Sequence, residues 1–156
     1  MRIEKVMHRP VVTVKSDDHL GNAARLMWEE DCGVLPVVDA EDRVIAMITD
    51  RDVCMAAYTQ GRPLESIPVS SAMSSQLFAV RATDAVEVAE REMGEKQVRR
   101  LPVLDTDGRV LGILSVNDLA REATRFSGGR VLDANTALVR TLKEVGTPHH
   151  GRRRTA

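Results

Sequence analysis

Two heptapeptides hold side chains whose spacing suits ligand chemistry: Ala46-Met47-Ile48-Thr49-Asp50-Arg51-Asp52 and Gly112-Ile113-Leu114-Ser115-Val116-Asn117-Asp118. Each sets a hydroxyl three residues ahead of a carboxylate, Thr49 before Asp52 and Ser115 before Asp118, where an apolar run turns polar. A strand ending at the hydroxyl and a helix starting behind it would present unpaired amide N–H groups and a positive dipole end, which together favour phosphate. The hydroxyl adds a hydrogen bond to phosphate, the carboxylate can accept from vicinal ribose hydroxyls, and Arg51 supplies charge suited to phosphate. The same residues also read as plain helix caps. Their occurrence twice in one chain favours the ligand reading.

The elements that must position these residues come from an internal repeat. With a shift of 66, residues 7–53 fall on 73–119 without a gap, and 14 of the 47 pairs are identical. Leu35-Pro36-Val37-Val38-Asp39 lies on Leu101-Pro102-Val103-Leu104-Asp105, and Met7, Val14, Asp18, Ala23, Arg25, Met27 and Asp52 each meet their like. Both copies read as β-α-β-β-α. The first strand is expected at 11–14 and 77–80. Ser16-Asp17-Asp18 and Thr83-Asp84 are N-cap material, followed by apolar residues at helical spacing (Leu20, Ala23, Ala24, Met27; Val86, Ala89, Met93). A hairpin follows, with strands 35–38 and 43–48 or 101–104 and 109–114 across an acidic turn, and a helix opens at 50–52 or 116–118. A copy of this size is marginal alone, so two packed pseudo-symmetrically should share one α/β (α+β) core. The expected organisation is 1–66 for the first repeat, 67–127 for the second, and 128–156 for a C-terminal helix (133–145) and a disordered basic tail.

Composition narrows the possible functions. The 156 residues are 43% hydrophobic and 29% charged with a net charge of −1, which fits a globular chain and argues against a nucleic-acid binder. Four aromatic residues (Trp28, Tyr58, Phe78, Phe126) are few for stacking bases. No apolar run is long enough to span a membrane, and Met1-Arg2-Ile3-Glu4-Lys5 lacks the apolar stretch of a signal peptide, so a cytoplasmic protein is expected. Cys32 and Cys54 then read as buried small hydrophobes in a reducing compartment. No Cys-x-x-Cys or His-Glu-x-x-His motif occurs, and the four histidines include no i,i+4 pair, so neither a metal site nor a catalytic constellation is expected.

The two Leu-Pro-Val-x-Asp strands, the Met7 and Met73 starts and the two junctions together resemble the cystathionine β-synthase (CBS) domain, and the pair resembles a Bateman module. The ligand signature of that family is Gly-x-x-Ser/Thr-x-x-Asp/Asn. The second copy satisfies it, whereas the first has Ala46 in place of glycine. The resemblance implies two clefts between the copies that bind adenosine-containing molecules (AMP, ADP, ATP, S-adenosylmethionine or NAD) as regulatory ligands, with no catalytic cofactor. Carried over by position, one cleft would combine Ile113, Ser115, Asn117 and Asp118 with Pro10, Val12, Cys32, Gly33 and Val34. The other would combine Met47, Thr49, Arg51 and Asp52 with Gln76, Phe78, Val98, Arg99 and Arg100. Family members often place a basic phosphate ligand where Arg99-Arg100 stands. Gly33-Val34 departs from that pattern, so the clefts should differ, one having Arg51 and the other gaining Arg99 from its own copy.

The leading expectation is therefore a non-enzymatic sensor that signals through conformational change to a separate effector protein. The alternative is a dimeric interaction scaffold with degenerate clefts. It is suggested by the apolar run Val53-Cys54-Met55-Ala56-Ala57-Tyr58 and by Leu26 and Trp28, which fall off the core-facing stripe of their helix. A homodimer is expected on either reading.

Overall fold

The computed structural model describes residues 1–125 together with 141, 142, 144 and 145. Its first half runs β1 (Val14–Lys15), α1 (Leu20–Glu29), β2 (Val34–Val38), β3 (Val44–Thr49) and α2 (Asp50–Gln60). Its second half repeats the order with β4 (Val80–Arg81), α3 (Val86–Lys96), β5 (Arg100–Leu104), β6 (Val110–Ser115) and α4 (Val116–Arg125). Each half forms a three-stranded sheet, ordered β1-β2-β3 or β4-β5-β6. The first pair of strands is parallel and the second antiparallel, and a bulge interrupts the same place in both, at Val37/Val38 and Val103/Leu104.

The first strands are shorter than the apolar runs suggest. β1 pairs only with Val37 and Val38, because the ladder stops at Pro36, which has no amide N–H to offer, and residues 11–13 stay outside it. This also explains how Pro36 sits inside β2 rather than at its start: the parallel ladder begins one residue after it. The hairpin turns are fastened by their first acid. Asp39 Oδ1 accepts from the amides of Glu41 (3.0 Å) and Arg43 (2.9 Å), and Asp105 Oδ1 from those of Asp107 (2.8 Å) and Arg109 (2.9 Å). Both turns need a left-handed residue, Asp42 at φ 61° and Gly108 at φ 83°. The hairpins also join the halves, because the Val44 amide donates to the Gly108 carbonyl at 2.9 Å.

Two helix starts differ from the expected caps. α1 is capped by His19, whose Nδ1 accepts from the Asn22 amide at 3.1 Å, and α3 by Ala85, which has no side-chain cap. Main chain from elsewhere completes these ends: Leu20 N–H donates to the Ile67 carbonyl (2.8 Å) and Val86 N–H to the Met1 carbonyl (2.9 Å). The accepting carbonyls belong to two equivalent straps, residues 1–8 and 67–74. In the first strap, the Ile3 and Glu4 amides bond Asp84 and Ala82 carbonyls at 3.0 Å each; in the second, the Val69 and Ser70 amides bond Asp18 (2.8 Å) and Ser16 (2.9 Å). Ile3 is fully buried in the core of the second half, with Met93, Leu101, Val103 and Leu114. Ile67 and Val69 are fully buried in the core of the first half, with Leu20, Leu35, Val37 and Ile48. Each core thus includes a strap that the expected division at 66/67 assigns to the other repeat.

Among the described residues no helix is long and apolar enough to cross a membrane. Of the helix expected at 133–145, residues 141, 142, 144 and 145 are helical. The rest of that stretch, and the tail expected to be disordered, lie outside the described residues. Both cysteines are free thiols, but the expected burial needs correction: Cys32 is half-buried and Cys54 is exposed. Cys54 follows buried Val53 in α2 and so points off the core face. Leu26, expected off the core stripe, packs against the first core, whereas Trp28 is 85% exposed.

Candidate functional site

The strand-to-helix junctions are the most closely matched parts of the two halves. In the first, Asp52 Oδ2 accepts from the Thr49 amide (3.0 Å) and hydroxyl (2.7 Å), while Thr49 Oγ1 accepts from the Asp52 amide (3.2 Å). In the second, Asp118 Oδ2 accepts from the Ser115 amide (2.9 Å) and hydroxyl (2.6 Å), and Ser115 Oγ accepts from the Asp118 amide (3.2 Å). This reciprocal capping box satisfies two end groups of each helix. It also holds the four side chains half-buried at the sheet edge, each carboxylate keeping its Oδ1 outside the cap.

Beyond that shared frame the junctions differ in charge. In the first, Asp50 Oδ1 accepts the Arg51 amide at 2.7 Å, so a carboxylate already occupies the helix end, and Arg51 is exposed. Asp50 reaches over Gly33, where its Oδ2 lies 3.0 Å from the position a β-carbon would take. In the second, Val116 replaces Asp50 and brings no acceptor, while exposed Arg99 and Arg100 replace Gly33 and Val34. Arg121 adds a third cation, its Nη2 2.6 Å from Asp118 Oδ1. Arg121 follows Asp118 by three residues on α4, and that helical spacing was its available sequence signal; Met55 stands at the equivalent place in α2.

Strand register sets the pre-proline segments against the junctions of their own halves. Val34 pairs with Thr49 and the Gly33 carbonyl accepts the Asp50 amide at 3.2 Å; Arg100 pairs with Ser115 and the Arg99 carbonyl accepts the Val116 amide at 3.0 Å. The grouping expected from sequence had placed Cys32, Gly33 and Val34 with the second junction, and Val98, Arg99 and Arg100 with the first. Near the junctions, the straps supply the contacts that cross between halves. Ile113 and His8 exchange two backbone bonds (2.8 and 3.0 Å), which carries the chain on to exposed Pro10 and half-buried Val12. Met47 meets Ser74, whose hydroxyl also donates to the Gln76 carbonyl at 2.9 Å. Phe78 and Val98 pack against the second core, with Lys96 Nζ 5.7 Å from the Phe78 ring centroid. Asn117 is exposed on the first turn of α4.

The departure at Ala46 has a structural counterpart. A β-carbon on Gly112 would lie 2.6 Å from Met7 Sδ and 2.9 Å from the His8 carbonyl oxygen, so the first strap approaches too closely for any side chain. Around Ala46 the Met47 amide donates to the Ser74 hydroxyl (3.0 Å), where Ile113 donates to the His8 carbonyl. A side-chain acceptor thus replaces a main-chain one where a methyl group must be housed.

A separate groove of about 480 Å³ lies between α1 and α2, lined by Ala24, Met27, Trp28, Asp31, Cys32, Gly33, Asp50, Val53 and Cys54. It shares Cys32 and Gly33 with the expected base pocket, and exposed Trp28 lies in its lining. Among the described residues no cluster of three potential metal ligands occurs.

Duplicated β-α-β-β-α halves, swapped straps and twin junctions define a tandem-repeat α+β fold, and comparison with known proteins agrees. The CBS domain family model matches residues 3–58 and 69–125, and the chain belongs to that family. The CBS domain-containing protein YhcV of Bacillus subtilis is 34% identical over 125 residues, covering 78% of this chain and 88% of its own. The crystal structure of Hypoxic Response Protein I with two coordinated zinc ions superposes with a TM-score of 0.70 at 30% identity, over 78% of this chain and 98% of that one. The crystal structure of CBSX2 in complex with AMP superposes with a TM-score of 0.68 at 27% identity, over 80% and 96%.

Proposed function

We propose that this chain is a non-catalytic sensor of adenosine-containing ligands, binding them at the two junctions and passing the signal to a separate protein through a change in the relative arrangement of its halves. The observation that carries this reading is the retention of Ser/Thr-x-x-Asp at both junctions, in the same capping geometry, in a chain similar to a protein crystallised with AMP. The charge difference assigns preferences. The second junction, with Arg99, Arg100 and Arg121 and no counterpart of Asp50, suits phosphorylated ligands such as AMP, ADP, ATP or NAD. The first, with Asp50 across its helix end, suits an uncharged or cationic adenosyl group such as that of S-adenosylmethionine. Signalling requires that ligand bind two arrangements unequally.

Titration calorimetry with AMP, ATP, NAD and S-adenosylmethionine tests this. Saturable binding is expected, with Asp118→Ala weakening the phosphorylated ligands and Asp52→Ala weakening S-adenosylmethionine. A folded protein silent towards all four sinks the sensor reading. The scaffold reading would then take its place, supported by the exposure of Trp28 (85%), Tyr58 (83%) and Met55 (47%). On either reading we infer a cytoplasmic homodimer associating through exposed apolar residues of α1 and α2.

A further inference from the structure

The chain leaves α1 and α3 through the same turn. Asp31 and Gln97, equivalent by the repeat, both take left-handed backbone, at φ 48° and 54°. The next amide in each case closes the helix end on a methionine carbonyl, Cys32 on Met27 (2.9 Å) and Val98 on Met93 (3.1 Å). Left-handed backbone strains a residue that carries a β-carbon. The short polar side chains of Asp and Asn offset that strain locally, and Gln is not among the types that do so. Exposed Asp31 therefore suits its turn. Gln97 reaches instead to a distant segment, its Nε2 donating to the Glu144 carbonyl at 3.3 Å. That segment is anchored on either side of this contact: Val145 packs on the second core, as Val98 does, and Thr141 is buried.

Directly beyond the turn lies the second junction. The Arg99 carbonyl accepts the Val116 amide at 3.0 Å and Arg100 pairs with Ser115, so the turn at Gln97 sets where both arginines meet the start of α4. We propose that the segment carrying Thr141, Glu144 and Val145 clasps this turn, and that its docking and the binding of a phosphorylated adenosyl ligand at the second junction favour one another. Docking holds the strained turn in place, so Arg99 and Arg100 are ordered before the ligand arrives and less of the ordering cost falls on binding. By reciprocity, the bound ligand tightens the segment. Occupancy of the second junction is thereby reported at residues 141–145, far along the chain from the ligand's own contacts. The coupling rests on the sensor reading above.

Titration calorimetry and amide hydrogen exchange on the full chain test it, with AMP as the probe. Gln97→Asn keeps a residue that tolerates left-handed backbone but is one methylene shorter, and Val145→Asp places a charge in the docked contact. Saturating AMP is expected to slow exchange at 141, 142, 144 and 145 in the wild type by about fivefold or more. Both variants are expected to weaken AMP by about the same factor, because the coupling is reciprocal. AMP affinity unaltered by Gln97→Asn overturns the clasp, since a loss confined to Val145→Asp reduces the segment to core packing. Exchange at these positions indifferent to bound AMP overturns it as well, and the sensor reading survives either result. A folded wild type that does not bind AMP removes the ligand from the second junction, and the coupling falls with it.

Discussion

Thr49 and Ser115 each serve the fold before any ligand arrives. Replacing either with alanine removes a helix cap, at a cost of about 1 kcal/mol, measurable as a shift in urea midpoint. A ligand-binding loss in these variants therefore has to be read beside that stability loss. Glu90 offers a pH-dependent test. Its half-buried carboxyl is held above the ordinary carboxylate range, first by desolvation and then by like charge on Glu87. The native state consequently binds a proton more readily than the unfolded chain, and stability falls as pH rises from the unfolded value through the raised native one. Glu90→Gln is expected to be more stable than wild type at neutral pH, the advantage vanishing below about pH 4; a pH series of urea melts checks this. The junction residues were legible because a hydroxyl and a carboxylate at fixed spacing are a local pattern. Cys54 was misread as buried because α2 carries apolar residues on more than its core face.

The straps explain most of what local patterns missed among the elements. Ser16, Asp17, Thr83 and Asp84 looked like helix caps, yet the Met1 and Ile67 carbonyls take the first amides of α3 and α1, from sequence positions no local window connects. The hairpins and the α2 and α4 starts were readable because their acids, prolines and apolar runs act on near neighbours. Gly112 ties strap to sheet. Gly112→Ala is expected to destabilise by about 1–3 kcal/mol through crowding of Met7 and the His8 carbonyl. Adding His8→Ser should recover part of that loss by letting a hydroxyl take the Ile113 amide, as Ser74 does for Met47. Chemical denaturation of the single and double variants measures it, and a double variant no better than Gly112→Ala would refute the exchange of acceptors.

At the scale of the molecule, neither half has a finished core within its own repeat. Ile3 belongs to the second core, and Ile67 and Val69 to the first. Separate chains of residues 1–66 and 67–156 are each expected to lack the circular-dichroism unfolding transition of the whole protein and to regain it on mixing. An independent cooperative transition in either piece would show the straps to be dispensable.

The crossed straps also order events during synthesis. Residues 1–8 are made before the helix and strands that receive them, so Ile3, fully buried at the end, stays without its partners until most of the second repeat has left the ribosome. The second strap is made directly after the core it completes. The first repeat can therefore close while the chain is still growing, and the second can close only by retrieving a segment made before the first repeat.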